Sequence, residues 1–284
     1  MTPRARAFLI ASVLVLAAVA ILGWSKLHAG PALASKASAP TLAASPPNLR
    51  KARAETPALF RKALDLGATI SVTADKASFT VLWSPADPKA TIVFLHGHKS
   101  TAFTDFSRWQ SYAEQRGYAV LGIQWRLGSA PDAEYSPAQI YAIAKSALER
   151  REVKQGGAIL QGFSSSAVRS YPIVALDRRS KKYFGLAIAN AGAILPGLPA
   201  NQLLLDGAYG ARPLAGSRWV LYCGTLDPNV DYAGCAQIQL TAVKIKRLGA
   251  TVVKIIRDRS GKHGDFIKKP ALVNAALDAY KTPR

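Results

Sequence analysis

The sequence predicts an α/β protein built on a mostly parallel sheet covered by helices on both faces. Short apolar runs of strand length alternate with longer amphipathic stretches from residue 68 almost to the C-terminus, which is the pattern of strands connected by crossover helices. The first two runs are separated only by residues 74–77, so the sheet opens with an antiparallel hairpin. Residues able to do chemistry sit where apolar runs end, and an open parallel sheet presents its sites at the carboxyl ends of its strands.

In chain order, the N-terminus comes first. Arg4 and Arg6, with no acid nearby, precede an uninterrupted apolar stretch over residues 7–24, so residues 1–24 have the layout of an export signal or membrane anchor. This stretch is just long enough to span a bilayer, while Ala32-Leu33-Ala34 offers a small-residue cleavage site; a retained anchor is the favoured expectation. Residues 25–49 are rich in Ala, Ser and Pro, with Pro31, Pro40, Pro46 and Pro47, and read as a flexible tether. The folded domain is expected over residues 50–284, in the periplasm or on the outer face of the cytoplasmic membrane.

The formal net charge is +20, and the first fifty residues hold five Lys or Arg and no acid, leaving 32 basic against 17 acidic residues beyond them. Such a body is drawn to anionic lipid headgroups or acidic polymers, although runs such as Arg178, Arg179, Lys181 and Lys182 also read as plain solvated surface. No nucleic-acid recognition motif is visible, so nucleic acid is not an expected partner, and no obligate protein partner is evident.

The hairpin is expected over residues 68–73 and 78–83. Buried strands are expected at 91–95, 118–125, 158–161, 186–190, 219–222 and 251–256, and helices at 105–116, 137–152, 165–178, 232–248 and 264–280. Pro172 is expected to kink or shorten its helix, because it lacks an N–H. Residues 191–217 are long enough to shape a pocket, and no large lid is expected.

Residues 158–169 read as a strand, a turn and a helix with a serine at the apex. Gly162-Phe163-Ser164-Ser165-Ser166 matches the nucleophile-elbow pattern G-x-S-x-G at four of five positions, with Ser166 in place of the last glycine and at a slightly looser helix to strand contact. Of the three serines only Ser164 has glycine two residues before it, where a side chain would clash, so Ser164 is the candidate nucleophile. The run at 219–222 leads into Gly224-Thr225-Leu226-Asp227-Pro228, and the run at 251–256 leads to His263-Gly264-Asp265. An Asp-Pro loop alone is ordinary turn chemistry and a loop histidine alone is ordinary surface. An acid and a histidine following the serine at successive strand ends are a more specific signal.

The chain order Ser164, Asp227, His263, the acid loop Gly224-x-x-Asp227-x-x-Val230, and Leu95-His96-Gly97-His98 after the third strand resemble the α/β-hydrolase superfamily over roughly residues 69–280. The resemblance implies an α/β-hydrolase-like fold and a serine hydrolase without a cofactor. Ser164 attacks an acyl carbon, His263 moves the proton and Asp227 orients the histidine, while the backbone N–H groups of Ser165 and His98 form the oxyanion hole. Aspartate-nucleophile branches are set aside because the elbow carries serine. A carboxylic ester is the expected substrate, as a small molecule or a lipid or cell-envelope acyl group; a peptidase or amidase and a silent envelope-binding module on the same fold are the alternatives.

His96 and His98 do not suggest a metal site, because the chain has four histidines and no full ligand set; His96 is expected to fix its loop by hydrogen bonding. Cys223 and Cys235, the only cysteines, bracket Asp227, and in an exported protein they are expected to form a disulfide. Trp125 and Arg126 end a strand beside the oxyanion loop and are candidates for an aromatic wall and an anion contact in the substrate pocket.

Overall fold

The structure is a computed structural model that describes residues 45–126 and 133–283. The expected export or anchor segment and most of the expected tether lie outside the described residues. No helix among the described residues is long and apolar enough to cross a membrane.

Eight strands form one sheet: β1 (Thr69–Val72), β2 (Phe79–Trp83), β3 (Thr91–Leu95), β4 (Ala119–Ile123), β5 (Ala158–Phe163), β6 (Phe184–Asn190), β7 (Arg218–Gly224) and β8 (Thr251–Asp258). Their spatial order is β1-β2-β4-β3-β5-β6-β7-β8; β2 is antiparallel to both neighbours and every other pairing is parallel. The helices are α1 (Pro47–Glu55), α2 (Pro57–Asp65), α3 (Phe106–Glu114), α4 (Pro137–Glu149), α5 (Ser165–Arg178), α6 (Pro199–Leu205), α7 (Val230–Ala233), α8 (Cys235–Arg247) and α9 (Pro270–Leu277). Because successive strand residues point to opposite faces, Val93 and Leu95 join a core built with α4, α5 and α8, while Ile92 and Phe94 join one built with α1, α2, α3 and α9. The central strands therefore read as continuous apolar runs, as expected of a sheet covered on both sides.

Several expectations change in detail. Helix α1 begins inside the expected tether, with Asn48 and Leu49 buried; only Leu49, Ala52 and Asn48 of this polar helix are buried, so its sequence gives little periodic signal. Strand β8 is an edge strand, and of residues 251–256 only Ile256 is buried, with Lys254 exposed on the free edge. The helix expected over 232–248 is split at Gly234, where an added Cβ would lie 2.5 Å from Val230 O. The last helix starts only at Pro270, after a 3₁₀ turn at Phe266–Lys268, because the residue before a proline is held extended.

Pro172 does not shorten α5, which runs on to Arg178. The proline removes the N–H that would bond Val168 O, and the Asn201 amide of α6 supplies the replacement when it is oriented to satisfy its neighbours, with Nδ2 donating to Val168 O (3.1 Å) and Oδ1 accepting from Leu195 N (3.2 Å). This contact ties the segment between β6 and β7 to α5.

Candidate active site

Strand β5 ends in a turn that only this local sequence permits. Ser164 has φ +58° and ψ −121°, a conformation costly for a residue with a side chain. A Cβ on Gly162 would lie 2.4 Å from Ser170 Oγ and 2.6 Å from Ser166 O, so glycine is required two residues before the apex. The departure at Ser166 is a bond and not a looser contact: its fully buried Oγ donates to Leu95 O (2.7 Å) and accepts from Phe163 N (2.9 Å), fastening the turn to the end of β3.

The acid and histidine loops are brought together by paired glycines. A Cβ on Gly224 would lie 2.3 Å from Gly261 O, and one on Gly261 would lie 2.3 Å from Asp258 Oδ2 and 2.5 Å from Tyr222 OH. That close approach allows Leu226 N to donate to Gly261 O (2.9 Å) and Thr225 N to Asp258 O (2.9 Å). Asp258 anchors the loop that carries His263: its carboxylate accepts from Lys269 Nζ (2.6 Å), Tyr222 OH (3.1 Å) and Ser260 N (3.2 Å). Burial acts to raise its pKa, but the hydrogen bonds from Lys269, Ser260 and Tyr222 outweigh it and hold the carboxyl below its usual range.

Ser164, His263 and Asp227 meet in one hydrogen-bonded chain. Ser164 Oγ lies 2.8 Å from His263 Nε2, and His263 Nδ1 lies 2.7 Å from Asp227 Oδ2. The Asp227 side chain is fully buried, and its Oδ1 accepts from Asn229 N (2.9 Å) and Asn229 Nδ2 (3.1 Å). A carboxylate accepts, so Nδ1 carries the imidazole proton and Nε2 is free to accept from the serine hydroxyl. The histidine ring is flanked by Phe163, with centroids 5.1 Å apart, and edge-on by Tyr232 at 6.0 Å. Cys223 and Cys235 are disulfide-bonded with Cα atoms 5.1 Å apart, joining the end of β7 to the start of α8 around the acid loop.

The loop after β3 packs on the same turn: a Cβ on Gly97 would lie 2.9 Å from Phe163 Cδ1. His96 is buried beneath it, with Nδ1 donating to Gly97 O (2.8 Å). Burial, with the nearby Arg126 charge, lowers the His96 pKa to about 4. Among the described residues its Nε2 and Asn190 Oδ1 have no hydrogen-bond partner, and both residues line a cavity of about 20 Å³.

Trp125 is corrected from its expected role as a pocket wall. The ring is completely buried, with Nε1 donating to His96 O (2.8 Å), the His96 ring stacked on it at 5.3 Å and the Arg169 guanidinium 4.6 Å from its centroid. It supports the loop from beneath and is absent from the lining of the groove beside it. Arg126 does line a groove of about 590 Å³, together with His98, and its Nη1 donates to His98 O (2.7 Å).

Asn229, Asp258, Tyr222 and Gly261 were not singled out from the sequence. Asp258 had a usable signal, since it follows an apolar run as Asp227 does, but the sequence does not show which acid faces the histidine. Among the described residues no three His, Cys, Asp or Glu side chains gather as a metal site would require.

No protein-family model and no curated protein matches the sequence. Solved structures do match. A thermophilic esterase from the planctomycete Thermogutta terrifontis with propionate bound superposes with a TM-score of 0.55 at 18% identity, over 77% of this chain and 97% of that one. A fungal esterase from Rhizomucor miehei gives 0.56 at 13% identity, over 81% of this chain and 88% of its own. A phospholipase/carboxylesterase from Dyadobacter fermentans gives 0.51 at 16% identity, over 71% and 95%. What these structures share with the present one is the α/β-hydrolase fold, and that is the fold of this chain.

Proposed function

We propose that the protein is a serine hydrolase that cleaves a carboxylic ester through an acyl-enzyme. The observation that carries this reading is the unbroken chain from Ser164 Oγ through the His263 ring to Asp227, on a backbone that holds Ser164 at φ +58°. His263 Nε2 takes the hydroxyl proton as Ser164 Oγ attacks the acyl carbon. It then returns that proton to the departing alkoxide as the ester C–O bond breaks. Water repeats the sequence, giving its proton to Nε2 and its oxygen to the acyl carbon, and Ser164 Oγ leaves with a proton restored. Asp227, held by Asn229, keeps Nδ1 protonated and offsets the imidazolium charge. The oxyanion is received by the N–H of Ser165, first residue of α5, and the N–H of His98, each worth about 10² to 10³ in rate.

Three structures of the same fold are described as esterases or carboxylesterases, and one holds propionate, a short carboxylic acid; this supports an ester in preference to an amide. The apolar stretch over residues 7–24 behind Arg4 and Arg6 supports export to the periplasm or the outer face of the cytoplasmic membrane, and a disulfide fits such a compartment. The substrate is an ester-bearing small molecule or a lipid or cell-envelope acyl group.

A fluorophosphonate probe tests the reading. Wild type labels on Ser164, Ser164→Ala does not label, and Asp227→Asn turns over a p-nitrophenyl ester roughly 10⁴-fold more slowly. An unlabelled wild type, or equal labelling of Ser164→Ala, overturns the nucleophile.

A further inference from the structure

The two N–H groups assigned to the oxyanion come from separate elements, Ser165 at the start of α5 and His98 in the loop after β3. Each must lie about 2.7–3.1 Å from one and the same oxygen, so the two elements have to be fastened to each other. Ser166 Oγ makes one tie, to Leu95 O (2.7 Å), but Leu95 is the last residue of β3 and the loop begins only after it. A second tie runs through Arg169.

Arg169 stands one helical turn after Ser165, with its side chain only 14% exposed. Its Nη1 donates to Ser165 O (2.9 Å), its Nη2 donates to the Glu134 carboxylate, and its guanidinium carbon lies 4.6 Å from the centroid of the Trp125 ring. Glu134 is held beside that ring by backbone pairing: it bridges Arg126, and Tyr135 N donates to Trp125 O (2.8 Å). Trp125 in turn holds the loop, with Nε1 on His96 O (2.8 Å) and its ring stacked on the His96 ring at 5.3 Å. A guanidinium is flat and forked, so one group bonds a carbonyl and a carboxylate through its edge while its face meets an aromatic ring. An ammonium offers neither fork nor face.

We propose that Arg169 is a positioning residue that sets the geometry of the oxyanion hole, by clamping the turn that carries the Ser165 N–H to the Trp125–His96 stack that leads into His98. The proposal rests on the esterase reading and adds to it the residue that joins the two halves of the hole. Arg169 acts through Ser165 and Trp125, so its removal leaves both donors in place and changes their spacing.

Arg169→Met keeps a stem to lie on Trp125 and removes both donated bonds. Rates are measured on p-nitrophenyl butyrate per site counted by complete fluorophosphonate labelling, which leaves out any misfolded fraction. kcat falls roughly tenfold to a hundredfold with KM within about twofold, because a misplaced donor weakens the transition state and not the bound ester. Affinity for a trifluoromethyl ketone drops by the same factor as kcat/KM: Ser164 Oγ adds to its carbonyl carbon, the proton passes to His263 Nε2, and the resulting oxyanion fills the hole. Arg169→Lys keeps the charge and recovers little of the loss; full recovery would show that charge alone suffices and overturn the clamp. Trp125→Phe retains a ring, loses the bond to His96 O and lowers kcat in the same way. It carries the test where Arg169→Met yields too few labelled sites. The double variant falls no further than the worse single one, since both cut one strut, and losses that multiply overturn the strut. Unchanged kcat and ketone affinity per labelled site, with only a lower melting temperature, would make Arg169 a stability residue and overturn the proposal while ester turnover stands. A wild type that neither labels at Ser164 nor turns over the ester overturns the esterase reading, and the proposal with it.

Discussion

His96 shows how one buried side chain ties the site to pH. Its Nδ1 donates to Gly97 O, its ring lies on Trp125, and among the described residues its Nε2 faces no partner, so a proton added there creates a buried charge that none of them meets. Asp105 lines the same small cavity, but its carboxylate is engaged by Arg108 Nη1 at 2.8 Å. With the folded pKa near 4 against an ordinary 6.5, the unfolded chain binds the proton more readily between those values. Stability is therefore intact above pH about 6.5 and is lost as pH falls towards 4, by at most roughly 3 kcal/mol. His96→Asn, which keeps a donor for Gly97 O, should lose less stability than wild type between pH 7 and pH 4.5 in urea unfolding; equal losses would show that His96 does not contribute to the acid limb. This role was legible only in part. The sequence places His96 in the His-Gly segment, but burial under the loop and the partner-free Nε2 come from packing of β3 against β4.

The strands that bear the candidate site were visible as apolar runs, and Ser164, Asp227 and His263 were visible because each follows one of them. What the sequence did not show is how two loops come close enough for the acid to reach the histidine. Gly224 and Gly261 look like ordinary loop glycines until the contact of Gly224 with Gly261 O is seen, and neither has positive φ to mark it. Gly261→Ala should push the histidine loop off Asp258 and Tyr222, since its Cβ would fall 2.3 Å and 2.5 Å from their oxygens. A displacement of about 1 Å at His263 costs on the order of 10² in kcat, with KM little changed. Activity within a few-fold of wild type would mean that the loop tolerates the side chain and that the close approach does not set the geometry. The helices misjudged from sequence have physical reasons of the same kind. Helix α1 buries only three residues and so lacks a periodic stripe, while α5 survives Pro172 because a side chain from α6, distant in sequence, takes over the lost bond to Val168 O.

The charge of the chain acts over longer distances than any of these contacts. Beyond residue 50 the 32 basic residues outnumber the 17 acidic ones, and the apolar stretch over residues 7–24 precedes them. If the protein works at an anionic membrane face, that excess raises the local concentration of esters embedded there, and the effect must be screened within a Debye length of about 10 Å at 0.1 M salt. Full-length protein should then hydrolyse a lipid ester faster in anionic than in neutral vesicles, with the difference fading as salt is raised. The same salt series on a soluble neutral ester should be flat. Equal rates on both vesicle types at low salt, with fast turnover of the soluble ester, would instead make the charge a matter of solubility.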